Sequence, residues 1–216
     1  MKSSHGFTLA ELAIVITIIA ILLVAVLKGE SLIGTAKTAD IIAIANDISN
    51  ASMAFKAKYH YLPGDFPVNT ATPEISDLSL TQNAACLVSP RLGNGDGLMS
   101  AKESQCVPVQ LFTSGMTKVH GTAQTDPADP TSNLYIFKSF YGPVQVIQLS
   151  SSQTYAGITT GLPPNVFNVI EFLNIPCNVA QDVDRKMDDG NLGTGKIRAS
   201  VPACTDTQPV ALAVPL

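Results

Sequence analysis

A long apolar run near the start of the chain constrains its fold more than any other feature. Residues 7–27 form a run of 21 residues, and Glu11 is the only charged residue among them. A helix of about 20 apolar residues is long enough to cross the hydrocarbon layer of a membrane. We therefore predict a transmembrane helix over residues 7–27.

The acid inside this run needs an explanation, because a carboxylate at the centre of a bilayer costs roughly 2.5–3.5 kcal/mol on insertion scales. A cleavable secretory signal does not fit, since its apolar part has about 7–15 residues and ends before a small-residue cleavage site. An ordinary signal anchor fits the length, with Lys2 holding the N-terminus in the cytoplasm. An ordinary signal anchor does not need an acid at position 11, so it does not explain Glu11.

The residues at the start of the run form a more specific pattern. Glu11 stands four residues after Phe7, and Phe7 follows Gly6. This segment, Gly6-Phe7-Thr8-Leu9-Ala10-Glu11-Leu12, resembles the class III signal of type IV pilins and of type II secretion pseudopilins. The resemblance implies that a prepilin peptidase cuts after Gly6 on the cytoplasmic face and N-methylates Phe7. The apolar helix would remain on the mature protein.

The same resemblance implies a partner for Glu11. Subunits of this family assemble into a filament whose centre is a bundle of N-terminal helices, where the acid of one subunit is thought to meet the terminal ammonium of a neighbour. A paired buried charge is tolerable where a lone one is not. The implied partners are the peptidase and other pilin or pseudopilin subunits. The implied location is the bacterial inner membrane, with the N-terminus cytoplasmic and the head periplasmic, and then the pilus or pseudopilus.

The helix is predicted to continue beyond the membrane to about Tyr59. No proline occurs before Pro63, and apolar or small residues recur at helical spacing. They are Ile33, Ala36, Ile41, Ile44, Ile48, Ala51, Phe55 and Tyr59. The following stretch, "KYHYLPGDFP", ends the helix, and its Leu-Pro-Gly-Asp resembles one group of pilin-like proteins.

The rest of the chain predicts an α+β head, in which the long helix packs on a small antiparallel sheet, as in the pilin fold. Strands are predicted over residues 134–141, 144–149 and 196–201, and a short helix over residues 165–173. The predicted domains are a cleaved leader, a transmembrane and assembly helix, a helix extension and a globular head. Their residues are 1–6, 7–27, 28–60 and 61–216.

Charge and composition exclude some functions. The 216 residues include 13 Lys and Arg against 17 Asp and Glu, for a net charge of −4. A mildly acidic chain without a basic cluster is not expected to bind nucleic acid.

Four cysteines lie beyond the membrane segment, at Cys86, Cys106, Cys177 and Cys204. None forms a Cys-x-x-Cys pair, which argues against zinc. Outside the cytoplasm, disulfides are the expected state. Three pairings are possible, and loop-closure entropy favours the nearest partners, Cys86–Cys106 and Cys177–Cys204.

A first acidic, glycine-rich stretch, "LGNGDGLMSAKE", partly matches a calcium-binding loop. Asn94, Asp96 and Glu103 take the third, fifth and twelfth positions. The first position is Leu92, which has no ligating side chain. Calcium is therefore a candidate cofactor here, with a plain glycine-rich turn as the alternative.

A second stretch, "DVDRKMDDGNLGTGKIRA", contains the spacing of half a phosphate-binding loop. Ile197 stands where Ser or Thr should hold magnesium, and four acids would repel phosphate. We reject a nucleotide site. The Asp-Asp-Gly sequence instead resembles the C-terminal motif of the same Leu-Pro-Gly-Asp group. Its acids are expected to serve turn chemistry, with pairing to Arg185 and Lys186 or cation binding as alternatives.

No enzyme signature accompanies these motifs: neither G-x-S-x-G nor H-E-x-x-H occurs. The sequence predicts a structural subunit of a type IV pilus-like or type II secretion pseudopilus filament. The alternatives are a membrane-tethered periplasmic domain that binds a ligand or calcium, and an anchored hydrolase. The sequence does not separate pilus from pseudopilus.

Overall fold

The computed structural model describes residues 8–67, 86, 93–117, 122–126, 129–149, 166–204 and 208–216, without the side chains of residues 27, 30, 31 and 122–136. The helices are α1 (Leu9–Tyr59), α2 (Val107–Thr113), which follows a 3₁₀ turn (Glu103–Cys106), and α3 (Cys177–Met187). The strands are β1 (Thr122–Asp126), β2 (Asp129–Lys138), β3 (Pro143–Gln148), β4 (Asn168–Pro176), β5 (Arg198–Ala199) and β6 (Pro209–Pro215).

The chain divides into two compact units, and the boundary falls inside α1. The first unit ends at Lys37 and the second begins at Thr38. The predicted long N-terminal helix is confirmed, since α1 begins at Leu9 and ends at Tyr59. The predicted domain boundaries at residues 27 and 60 stay predictions.

An antiparallel sheet forms the second unit together with the helical segments. Within the described ranges it has six strands in the order β1-β2-β3-β4-β6-β5, and every neighbouring pair is antiparallel. β2 and β3 are joined by a tight turn in which the Ser139 N–H donates to the Gly142 carbonyl at 2.8 Å. These are the two adjacent strands predicted before and after Gly142-Pro143. The α+β prediction is confirmed.

The core of this unit is built on one face of the second half of α1. Buried residues recur on that face every three or four positions, and they include Ile41, Ile48 and Phe55. Tyr59 continues the stripe, and its ring packs against Phe55 and against Phe66 beyond the end of the helix. Burial of this stripe contributes to stability at about 25 cal/mol for each Å² of apolar surface removed from water.

One predicted element is wrong. The sequence predicts a short helix over residues 165–173, but residues 168–176 form β4, between β3 and β6. Val169, Ile170, Glu171 and Phe172 are all buried, because a central strand is covered on both faces. A short, continuous apolar run of this kind cannot be distinguished from a buried helix by periodicity. The predicted strand over residues 196–201 is confirmed as the short β5.

The chain reverses direction after α1 through Leu-Pro-Gly-Asp. Gly64 has φ +91°, and a Cβ there would lie 2.8 Å from the Val107 side chain. The buried Asp65 then accepts two backbone hydrogen bonds from a loop about 30 residues further on. Its Oδ1 accepts from the Gly95 N–H and its Oδ2 from the Gly97 N–H, both at 2.7 Å. Asp65 thus fastens the end of the long helix to this loop.

Two disulfides tie the remaining segments together. Cys86 pairs with Cys106 beside the 3₁₀ turn, and Cys177 at the start of α3 pairs with Cys204. These are the nearest-neighbour pairings that loop-closure entropy favours. Each bridge is expected to stabilise the fold by about 2–4 kcal/mol.

One carboxylate is buried inside the sheet. Glu171 on β4 has no exposed surface, and its Oε2 accepts a hydrogen bond of 2.5 Å from Gln145 on β3. Its Oε1 is buried without a hydrogen-bond partner. Burial raises the pKa of Glu171, and the Gln145 hydrogen bond opposes this more weakly.

The raised pKa of Glu171 predicts a pH-dependent contribution to stability. When folding raises the pKa of a carboxyl group, protonation of that group favours the folded state. This stabilisation is complete below the ordinary glutamate pKa and is lost as the pH rises through the folded-state pKa. Glu171→Gln should therefore raise the free energy of unfolding at pH 7 by about 1–2 kcal/mol. The difference from wild type should vanish towards pH 4. The measurement is urea denaturation of the detergent-solubilised protein across this pH range. A variant that is less stable than wild type at pH 7 would contradict the assignment.

The Asp65 contacts predict a second effect on stability. Asp65→Ala removes both acceptors, and each hydrogen bond to a charged group contributes about 1.5–3 kcal/mol. Asp96→Ala is the matched control, since Asp96 is exposed and water can replace its bonds to the loop. We expect a large fall in melting temperature for Asp65→Ala and a small one for Asp96→Ala. Equal effects would show that Asp65 does not hold the loop.

Candidate functional site

The described chain starts with a capping box at the N-terminus of α1. The Thr8 backbone N–H and the Thr8 hydroxyl both donate to Glu11 Oε2, each at 2.8 Å. The Glu11 N–H in turn contacts Thr8 Oγ1 at 3.2 Å. This reciprocal pattern satisfies N–H groups that the first turn of a helix leaves without partners. Glu11 therefore has a local structural role that the sequence analysis did not identify.

This capping box uses one carboxylate oxygen and no cation. Glu11 Oε2 accepts both bonds from Thr8, and Oε1 takes no part in the box. Hydrogen bonds from neutral groups reduce the cost of placing a carboxylate in hydrocarbon but do not remove its charge. Gly6 and Phe7, the predicted cleavage and methylation residues, lie outside the described residues.

The apolar helix that follows is exposed on all sides within its own unit. Residues 9–26 are all exposed, including large side chains such as Ile16, Ile21 and Leu22. Among the described residues, Leu9–Val26 is the helix segment long and apolar enough to cross a membrane. This length and composition fit membrane anchoring.

The residues predicted to bind calcium are engaged in local hydrogen bonds. Asn94 Nδ2 donates to Asp96 Oδ2 at 2.9 Å, and the Asp96 N–H donates to Asn94 Oδ1 at 2.8 Å. Glu103 Oε2 accepts from the Ser100 N–H at 2.9 Å, in a second capping box at the 3₁₀ turn. These contacts are those of a glycine-rich turn. Calcium binding by Asn94, Asp96 and Glu103 stays a prediction.

The acids of the second glycine-rich stretch perform mostly turn chemistry. Asp182 pairs with Arg185 at 2.9 Å on the exposed side of α3. Asp188 Oδ2 accepts from the backbone N–H groups of Lys196 and Ile197. Asp189 accepts from the Asn191 N–H at 2.8 Å and from the Thr194 hydroxyl at 2.6 Å.

Asp184 differs from the other acids in this stretch. It is fully buried on the inner side of α3, and neither carboxylate oxygen has a hydrogen-bond partner. Burial raises the pKa of Asp184 to about 6, and the charges of Asp189 and Asp188 add to the rise. The nearby Gly190 backbone N–H and the Arg198 charge lower the pKa more weakly, although the Gly190 N–H does not form a well-aligned hydrogen bond with either oxygen.

Asp184, Asp188 and Asp189 each place a carboxylate oxygen within 4.8 Å of the others, close enough to hold one metal ion. In the sequence these acids belong to one polar stretch, whose pattern does not predict α3. Cys177 and Ala180, which stand seven and four residues before Asp184, indicate the buried face of a helix. That spacing is the signal from which the burial of Asp184 could have been inferred.

Comparison with protein families gave a match over residues 1–27 to the prokaryotic N-terminal methylation motif. The match contains Gly6, Phe7 and Glu11, together with the apolar helix to residue 27. Comparison with curated proteins gave no match, and comparison with solved structures gave none. The chain thus carries, at its N-terminus, the methylation signal of type IV pilins and pseudopilins.

Proposed function

We propose that this chain is a structural subunit of a type IV pilus-like or type II secretion pseudopilus filament. In this proposal prepilin peptidase cuts between Gly6 and Phe7 and methylates Phe7, and the mature subunit assembles through α1. The observation that carries it is the methylation motif on an exposed apolar helix that holds Glu11. The role is structural and not catalytic, as it is for proteins with this motif.

The exposure of the first half of α1 supports the proposal that this helix lies first in the membrane and then in the filament. Residues 9–26 are all exposed, and most of their side chains are apolar on every face of the helix. A helix that packs on one protein surface needs an apolar stripe on one face only. A helix with apolar side chains on every face is stable only where all of its faces are shielded from water. Both a bilayer and a bundle of identical helices provide such surroundings. The subunit would insert with its N-terminus in the cytoplasm and its head in the periplasm.

The Thr8–Glu11 capping box supports a charge-dependent assembly step. Before assembly, the carboxylate has two hydrogen bonds from Thr8 but keeps its negative charge. Cleavage after Gly6 would create an ammonium on Phe7, the residue before Thr8. In a helical bundle, the ammonium of one subunit and Glu11 of its neighbour would neutralise each other. Processing would therefore supply the cation that makes assembly favourable.

The alternative is a tethered periplasmic domain that binds a ligand or calcium without forming a filament. Such a domain needs an apolar anchor, but it needs neither Gly6 before Phe7 nor an acid at residue 11. Because the methylation motif contains these residues, the filament subunit is the better supported proposal.

Three substitutions separate the charge of Glu11 from its capping role. Glu11→Gln removes the charge and keeps an acceptor, whereas Thr8→Val removes the hydroxyl and keeps the charge. Glu11→Val removes both the charge and the acceptor. An unpaired ammonium buried in the bundle costs several kcal/mol, so both Glu11 variants should yield at least about tenfold less sheared filament. Thr8→Val weakens only a helix cap, at about 0.5–2 kcal/mol, and should assemble much better.

The measurement is sheared filament relative to processed subunit in the membrane, in cells that lack the wild-type protein. Processed subunit should accumulate normally for all three variants, since the cleavage residues are unchanged. Normal filament yield from Glu11→Gln would refute the charge pairing. An equal loss from Thr8→Val would assign the effect of Glu11 to helix capping.

A further inference from the structure

Three acids meet where α3 ends. Asp184 lies in the last turn of the helix, the Asp188 N–H donates to the Asp184 carbonyl at 2.7 Å, and Asp189 begins the following loop. One carboxylate oxygen from each of the three residues lies within 4.8 Å of the other two.

The fold explains the positions of two of these acids but not of the third. Asp188 and Asp189 accept hydrogen bonds from the loop they enter. Asp184 has no exposed surface, and both of its oxygens are buried without a hydrogen-bond partner. A buried carboxylate in this state is unfavourable in its charged form, and either a proton or a cation relieves that cost. The acid cluster is therefore incomplete as it stands.

Arg198 does not complete the cluster. It lies close enough to attract Asp184 and Asp189 electrostatically, yet neither oxygen of Asp184 accepts a hydrogen bond from it. The Arg198 Nη1 donates to the Ile197 carbonyl at 3.4 Å, and the Arg198 Nε is buried without a hydrogen-bond partner. One guanidinium beside three carboxylates still leaves two negative charges to be balanced.

The loop after α3 holds the acids in fixed positions. Gly195 has φ +72°, and a Cβ there would lie 2.1 Å from Asp188 Oδ2, so that only glycine fits. The disulfide Cys177–Cys204 closes the segment that contains all three acids. Asp189 is exposed, so an ion could enter from solvent on that side.

The geometry points to a hard divalent cation with oxygen ligands. Calcium–oxygen bonds of about 2.4 Å can join oxygens up to about 4.8 Å apart, which covers the separations in this cluster. Calcium also accepts irregular sets of carboxylates, carbonyls and waters. We propose that Asp184, Asp188 and Asp189 bind a calcium ion. This site is separate from the Asn94, Asp96 and Glu103 loop, and it does not depend on filament assembly.

The test uses the full-length protein in detergent after removal of metals with EDTA. Calorimetric titration with calcium chloride should show one site. Saturating calcium should raise the melting temperature by several degrees, because an ion that binds only the folded state stabilises it. Magnesium should bind at least about tenfold more weakly.

Two variants and one control make the test specific. Asp184→Asn should abolish the calcium response, yet without metal it should melt at the wild-type temperature or higher, since a buried unpaired charge is gone. Asp189→Asn, at an exposed position, should weaken calcium binding at least about tenfold without affecting folding. Asp182→Asn removes an acid from the same helix outside the cluster and should keep the full response.

Three results would contradict the calcium site. No calcium binding by the wild-type protein, or a calcium response that Asp184→Asn and Asp189→Asn retain, would overturn the proposal. An equal loss of response in Asp182→Asn would show non-specific attraction only. A fall in the metal-free melting temperature of Asp184→Asn would assign Asp184 to a structural pair with Arg198. None of these results bears on the filament yield of the Glu11 variants.

Discussion

A carboxylate inside an apolar helix requires a partner, and the N-terminal unit of this protein depends on how Glu11 meets that requirement. Thr8 supplies the first partner by donating two hydrogen bonds to Oε2, which also fixes the start of α1. The charge itself is left for a cation. In the proposed filament, cleavage creates that cation one residue before the cap, so that processing, helix capping and assembly act on the same few residues.

Buried carboxylates in the head also need partners, and they differ in how many they have. Asp65 is buried where two backbone N–H groups converge on it, and it joins the end of α1 to a distant loop. Glu171 is buried against Gln145, with one oxygen satisfied and one not. Asp184 has no hydrogen-bond partner for either oxygen. Burial raises the pKa of all three acids, and they differ in how many hydrogen bonds their carboxylate oxygens accept.

Local patterns were sufficient for much of the fold. The apolar run and the helical spacing from Ile41 to Tyr59 predict α1, because each depends on residues close in sequence. In α1, Ile41 and Phe55 are buried as predicted, whereas Ile33 is exposed. The turn at Gly142-Pro143 predicts the β2–β3 hairpin. β4 was mistaken for a helix because a strand covered on both faces is apolar without alternation.

The parts that sequence reasoning missed depend on contacts between distant residues. The bonds from Gly95 and Gly97 to Asp65 cross about 30 residues, and no local pattern indicates them. Asp184 belongs to a polar stretch, and it is buried only because α3 turns that side towards the core. The Thr8–Glu11 capping box is local, and the Thr-x-x-Glu pattern was present in the sequence. It was overlooked because the motif suggested a more specific role for the same acid.

The central claim is that the N-terminus is a processing signal whose product assembles. Intact-mass and N-terminal peptide measurements on the protein extracted from membranes test it most directly, with cells that lack prepilin peptidase as the control. The account predicts a mature chain that begins with N-methylated Phe7, and an intact leader in the control. A chain that keeps residues 1–6 in cells with active peptidase would contradict the account.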